Sequence, residues 1–213
     1  MSYTISKVET DFPKLNSFLK KVIESPKQHF LWLNTLSLLE HIGSRKILLT
    51  QSNQNTSEMI LRHATEEARH ALFFKKAANS YREDQEATYK NNELLRGSSA
   101  KIYFAKLDAS VRKELKKSNI APEHHSFLSY LYTTTLIELR ALDVYESYNQ
   151  ILRNTLASFQ LDNLILEEEG HLDEMQKEIM SLDSEYMTRL ERLIQKENTL
   201  FSKLLNQFIL AVV

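Results

Sequence analysis

The chain contains no cysteine, and only 3 of its 213 residues are glycine and 3 are proline. Without thiolates it can form no disulfide, no cysteine-ligated zinc or iron–sulfur centre and no cysteine nucleophile. Because turns between β-strands rely on glycine and proline, their scarcity favours long helices. Residues 1–11 lack the apolar run and cleavage pattern of a signal peptide, and no apolar run is long enough for a membrane span. We therefore expect a cytoplasmic protein.

A charge bias is also absent, since the net charge is −1 and the isoelectric point is near 6.7. Such a balance gives no general attraction to nucleic acid, so a nucleic-acid partner is not expected. The composition, with 42% hydrophobic and 26% charged residues, is that of a globular protein rather than a disordered one. The length suits one domain with a substantial core, and we take residues 1–213 as that domain.

The positions of the prolines and of polar breaks predict an all-α fold. Each proline stands where a helix would start, and Ser57 followed by Glu58 has the character of a helix N-terminus. Four long helices would form two tight hairpins joined by a crossover of roughly 40 residues, so that the third long helix runs parallel to the second. This is the ferritin-like variant of the four-helix bundle, with extra helices in the crossover and at both ends. The predicted helices are 13–24, 26–51, 58–82, 98–117, 122–152, 156–180 and 183–209.

Two Glu-x-x-His motifs are the first chemical signal, one at Glu67 and His70 and the other at Glu168 and His171. Residues three apart lie on one face of a helix, so each pair can reach a single metal ion. One such motif carries little weight, because about one match is expected by chance in a chain of this composition.

The helical phase of these glutamates is the second signal. Glu67 and Glu168 fall within the apolar stripes of their predicted helices, and Glu40 and Glu138 fall within the stripes of the helices before them. An ionised carboxylate in a core is costly unless it is paired or binds a metal. The midpoint between Glu40 and Glu67 lies in the first predicted turn, and the midpoint between Glu138 and Glu168 lies in the second. Each pair is then about 20 Å from its turn, at ~1.5 Å per residue, so that all four carboxylates share one level.

This set of residues resembles the ligand pattern of the ferritin-like di-iron carboxylate proteins, over about residues 26 to 180. Short segments around the motifs distantly resemble tRNA hydroxylases and aldehyde-deformylating oxygenases. The resemblance implies that two glutamates, Glu67 and Glu168, bridge the metals. It assigns Glu40, Glu67 and His70 to one iron ion and Glu138, Glu168 and His171 to the other. Oxygen and imidazole donors without sulfur suit two iron ions, or one manganese and one iron.

The expected function is that of an oxygen-activating oxidase or oxygenase, in which these six residues are catalytic. A long interval separates Glu67 from Glu138 and leaves room for a helix at 98–117 that shapes a substrate pocket. The expected partners are O₂, an unidentified small organic substrate and an external reductase, because a chain without cysteine has no thiolate-bound redox centre of its own. A homodimer is left open. The alternative is a ferroxidase that handles iron without an organic substrate.

Four residues near the motifs receive structural interpretations. Tyr145 lies two turns after Glu138, and we interpret it as a core residue, the alternative being a hydrogen-bonding tyrosine beside the metals. His63 lies one turn before Glu67 and is interpreted as a core or surface histidine, the alternative being a residue that supports a ligand. Arg69 and Arg140 are expected to point away from the ligands on their helices, the alternative being that either reaches an adjacent carboxylate.

The helical phases of the glutamates in and beside the two Glu-x-x-His motifs generate a mutational prediction. Glu67→Ala and Glu168→Ala should abolish metal binding, whereas Glu66→Ala and Glu169→Ala should leave it nearly intact, because only the first pair lies within the apolar stripes. Metal content after anaerobic loading with ferrous iron measures the effect. Equal losses in all four variants would show that the assigned helical phase is wrong.

Overall fold

The structure of the chain is a computed structural model that describes residues 7–50, 56–82, 85–155 and 157–212. These residues form seven α-helices and two short 3₁₀ turns and contain no strand, which confirms the all-α class. None of these helices is both long and apolar enough to cross a membrane. The helices are α1 (Phe12–Glu24), α2 (Pro26–Thr50), α3 (Glu58–Asn79), α4 (Gly97–Leu115), α5 (His125–Leu152), α6 (Asp162–Leu182) and α7 (Tyr186–Ile209), and the 3₁₀ turns are Asn91–Glu93 and Pro122–His124.

Side-chain caps start two of the helices where the sequence predicts them. The Asp11 carboxylate accepts a hydrogen bond from the backbone N–H of Lys14 at 3.1 Å, and Pro13 lies in the first turn of α1. Ser57 caps α3 in the same way. Pro122 begins a 3₁₀ turn instead of α5, so that helix starts three residues later than predicted.

Helices α2 and α3 form the first hairpin, and two serine hydroxyls join them. Ser37 Oγ donates to the carbonyl of Ala71, and Ser44 Oγ donates to the carbonyl of Ala64, each at 2.7 Å. The residue numbers rise on one helix while they fall on the other, so the helices are antiparallel, and small side chains allow their close approach. The centre of this hairpin falls in the predicted first turn, of which residues 51–55 lie outside the described part of the chain.

The second hairpin, α5 and α6, has a longer turn than the sequence predicts. Helix α6 begins at Asp162 rather than at 156, because residues 157–161 are held outside a helix by specific contacts. The Asn149 side chain accepts the Leu161 backbone N–H at 2.9 Å, and the ring of Phe159 packs on Phe73. His171 Nδ1 lies 3.4 Å from Glu138 across this hairpin. Donor atoms of Glu138 and Glu168 also lie within 4.8 Å of one another, so these two glutamates stay at a common level despite the longer turn.

The two hairpins pack together with the helix directions that the crossover predicts. His63 on α3 contacts Tyr130 on α5, and Phe74 contacts Tyr145 further along both helices, so α3 and α5 are parallel. Helix α3 runs antiparallel to α6. One ion pair joins Arg69 to Glu167, and a second lies closer to the start of α3 and closer to the end of α6. The long crossover therefore brings the third long helix alongside the second one in the same direction.

Helices α1, α4 and α7 cover this four-helix core. A buried ion pair between Arg140 on α5 and Glu197 on α7, which Tyr103 on α4 joins through its hydroxyl, ties two of them to the core. Arg140 thus points away from the Glu-x-x-His motifs, as predicted. Several predicted ends shift by two or three residues. Helix α7, for example, starts at Tyr186 because the Asp183 carboxylate is buried against Arg189 and accepts a hydrogen bond from Tyr132.

Candidate metal centre

The fold brings the six predicted site residues together between the hairpins. Their donor atoms fall into two groups of four, within each of which all atoms lie within 4.8 Å of one another. The groups share two residues, Glu67 and Glu168, which are the glutamates that the family resemblance marks as bridging. The first group is Glu40, Glu67, His70 and Glu168, and the second is Glu67, Glu138, Glu168 and His171.

All six side chains are buried, and the most exposed of them, Glu40, has only 8% of its surface accessible. Four carboxylates in one apolar interior would be strongly unfavourable if all were ionised and nothing compensated them. The two imidazoles supply part of the compensation, since His70 Nδ1 lies 3.1 Å from Glu168 and His171 Nδ1 lies 3.4 Å from Glu138.

Each histidine is oriented by a glutamate from the other hairpin. His70 Nε2 donates to Glu167 on α6, and His171 Nε2 donates to Glu66 on α3, both at 2.7 Å. These bonds direct both Nδ1 atoms towards the centre, in the arrangement by which a carboxylate fixes the tautomer of a metal-binding histidine. Arg69 in turn holds Glu167 through two bonds of 3.0 and 2.9 Å.

The expectation that Glu66 and Arg69 lie apart from the site is therefore wrong. Glu169, in contrast, is exposed, as its helical phase predicts. A sequence signal for the supporting glutamates does exist, because each Glu-x-x-His motif is preceded directly by a further glutamate. This preceding glutamate lies off the apolar stripe of its helix, yet its side chain contacts the histidine of the other hairpin.

Unpaired donor atoms test whether these residues fit a metal centre. Among the described side chains, the buried atoms without a hydrogen-bond partner include His70 Nδ1, His171 Nδ1, both oxygens of Glu138 and Oε2 of Glu168. Buried polar atoms in proteins are nearly always paired, so a cluster of inward-facing exceptions calls for a missing partner. Carboxylate oxygens and imidazole nitrogens are donors that iron and manganese accept. The residues fit a two-metal centre.

Burial shifts the protonation of the carboxylates in the metal-free protein. It raises the pKa of Glu40, raises the pKa of Glu67 well above the usual range, and raises the pKa of Glu138 to about 8. Glu168 behaves differently. Burial acts to raise its pKa as well, but the adjacent imidazoles of His171 and His70 outweigh burial and lower it.

The histidines shift towards the protonated form. Burial lowers the pKa of His70, but the surrounding carboxylates, led by Glu168, outweigh it and raise the pKa to about 9. The same balance, led by Glu138 among the carboxylates, raises the pKa of His171 to about 11. Without metal, the cluster therefore holds protons at neutral pH, and metal ions must displace those protons to bind.

Two residues interpreted from sequence as core or surface side chains lie against the ligands. The Tyr145 hydroxyl donates a hydrogen bond to Oε1 of Glu40. His63 is fully buried, and the centroid of its ring is 3.8 Å from that of His171. Their interpretation as packing residues alone is wrong, because the polar atom that each side chain meets depends on how the two hairpins pack.

A cavity of about 90 Å³ reaches the carboxylates from the side opposite the histidines. Gly43 lies at its wall, where a Cβ atom would stand 3.2 Å from Oε2 of Glu67. The lining is largely apolar and comes mostly from α2, α4, α5 and α7, while α3 and α6 contribute Glu67 and Glu168. It includes all four candidate ligand glutamates but none of the histidines. The predicted helix at 98–117, observed as α4, contributes Tyr103 and Phe104 to this lining.

Comparisons with family models, with curated proteins and with solved structures found no match for this chain. The interpretation of the cluster therefore depends on its own geometry and chemistry.

The crossed glutamate–histidine pairs revise the mutational expectation for the supporting residues. Glu66→Ala and Glu167→Ala should each weaken metal binding by about 10- to 100-fold, because an unsupported imidazole loses its orientation. Glu169→Ala is the matched control, since its side chain is exposed on the same helix as Glu167. Titration of each metal-free variant with ferrous or manganous ions measures the affinity, and an affinity of the Glu66 variant equal to that of the control would contradict the role assigned to these pairs.

The protonated cluster predicts an unusual pH dependence of stability. The folded metal-free protein retains protons on Glu138 up to about pH 8 and on His70 up to about pH 9, whereas the ordinary pKa values of these groups are 4.5 and 6.5. The folded state thus binds more protons than the unfolded state in this window, so the free energy of unfolding should fall as pH rises from about 6 to about 9.

Bound metal should remove most of this fall, because it takes the place of the protons. Denaturant unfolding of the chelator-treated and the metal-loaded protein across this pH range tests the prediction. Parallel curves for the two forms would contradict it.

Proposed function

We propose that this chain is a ferritin-like di-iron protein that uses O₂ to oxidise a small organic substrate. The two groups of donors that share Glu67 and Glu168 support a paired metal centre. The parallel course of α3 and α5, with antiparallel hairpins on either side, supports the ferritin-like arrangement.

In this proposal each hairpin supplies the unshared ligands of one iron ion. Glu40 and His70 would hold the first, Glu138 and His171 the second, and the two shared glutamates would lie between them. Glu66 and Glu167 keep the imidazoles directed inward. A centre with one manganese and one iron would use the same residues, since both metals accept this donor set.

The observation that carries the proposal is the apolar cavity that ends at the four glutamates. Two ferrous ions held there would supply electrons to O₂. The chain itself supplies a largely apolar space, bounded by Tyr103 and Phe104 of α4 and by Phe201 and Leu204 of α7. Apolar walls suit an organic group better than a hydrated iron ion, which favours substrate oxidation over iron storage.

A proton donor also stands at the cavity wall. The Tyr145 hydroxyl, which donates to Oε1 of Glu40, can hold a proton on the side of the cluster that faces the cavity. Burial raises the pKa of Tyr145 well above its usual range, so the hydroxyl keeps its proton at neutral pH. The described chain holds no further redox group next to this site, and repeated turnover then depends on an external reductase.

Mixing the reduced, iron-loaded protein with O₂ tests the proposal. We expect one cycle of O₂ consumption, visible as a transient absorbance change in stopped-flow, and further cycles only when a reductant is added. With isotopically labelled O₂ and no substrate, label should enter side chains of the cavity wall such as Phe104 and Phe201, because they line the same cavity as the carboxylates. Peptide mass spectrometry measures this incorporation.

The control is Glu67→Ala, which lacks a shared ligand and should incorporate no label above background. Equal labelling of this variant and the unmodified chain would contradict the proposal. A storage protein gives a different result. It would oxidise ferrous iron far beyond two ions per chain and retain the product as a mineral in a large assembly, which size-exclusion chromatography after addition of excess iron would detect.

A further inference from the structure

His63 is a buried histidine with a hydrogen-bond partner for only one of its two ring nitrogens among the described residues. Its exposed surface is 0%, and its Nδ1 forms a hydrogen bond of 2.5 Å with the Tyr130 hydroxyl. Its Nε2 has no hydrogen-bond partner among the described residues. His29 is another buried histidine of this structure, and it lacks no such partner. Both ring nitrogens of His29 are bonded, one to Tyr148 and the other to Tyr81.

The position of His63 places its ring at the metal centre. It lies on the same face of α3 as Glu67 and His70, one turn before the first of them. Donor atoms of His63, Glu138 and His171 all lie within 4.8 Å of one another, and the ring planes of the two histidines meet at 73°. Such an edge-to-face approach lets both rings direct a nitrogen at one point without stacking.

We propose that His63 is a third imidazole ligand, which binds through Nε2 the metal ion that Glu138 and His171 also hold. The inference rests on the proposed metal centre and adds a ligand that the two Glu-x-x-His motifs do not contain. Tyr130 fixes the required tautomer, because an Nδ1–H donated to its hydroxyl leaves the lone pair of Nε2 free for the metal.

The third imidazole makes the two metal ions unequal. The ion beside Glu138 has two nitrogen ligands, whereas the ion beside Glu40 has one and borders the Tyr145 hydroxyl. The nitrogen-rich position binds divalent metals such as cobalt more tightly and fills first in a titration, since added imidazole ligation raises affinity for these ions.

Cobalt substitution with ¹⁵N-labelled histidine tests the inference without any enzymatic assay. In the unmodified chain with two equivalents of Co(II), paramagnetic NMR should show three strongly shifted imidazole N–H signals, one each from His63, His70 and His171. His63→Gln should show two. The dissociation constant of one cobalt ion should rise by about tenfold or more, as for loss of other metal-orienting contacts, while that of the second ion stays nearly unchanged.

The matched control is His41→Gln. His41 lies on α2 directly after Glu40, its ring stacks on Tyr89, and it belongs to no group of candidate donors. It should retain three signals and both affinities. Two bound cobalt ions with only two shifted signals in the unmodified chain would overturn the role of His63 and leave the metal centre standing. Failure of the unmodified chain to bind cobalt would overturn both. The signal count in the unmodified chain decides the matter even if His63→Gln does not fold.

Discussion

Four carboxylates and two imidazoles buried at one level of a helical bundle are the constraint on which the rest of this structure depends. Ionised groups in an apolar interior need compensation by opposite charge, by protons or by metal. In the metal-free protein, protons and the two imidazoles provide it, and this is why the pKa of Glu138 rises to about 8 and that of His70 to about 9. The helices that line the site therefore bring these charged side chains together on inner faces that are otherwise largely apolar.

The surrounding helices can be understood from the same constraint. A dry interior strengthens the interactions among the charges and also requires that water be kept out. Helices α4 and α7 close the open side of the bundle, and the buried pair of Arg140 and Glu197 attaches α7 to α5 with full charge compensation. The residual space is then lined mostly by apolar side chains, and its main polar groups are the ligand carboxylates.

Much of this arrangement could be predicted from the sequence, since apolar stripes and turn positions depend on local patterns. The six candidate ligands and the parallel course of the second and third long helices are of this kind. The start of α6 could not be predicted, because a short loop held by contacts of Asn149 and Phe159 precedes that helix. The contacts of Glu66 and His63 could also not be predicted from the sequence, since each depends on how the two hairpins pack against each other.

The crossed pairs of glutamate and histidine have a consequence for the symmetry of the molecule. Each hairpin holds the imidazole of the other, Glu66 that of His171 and Glu167 that of His70, so an approximate two-fold axis passes between the hairpins. The two halves resemble the subunits of a dimer linked into one chain. In such an arrangement neither half has a complete centre alone. His63 departs from the equivalence, because the position of α6 that corresponds to it on α3 is Leu164.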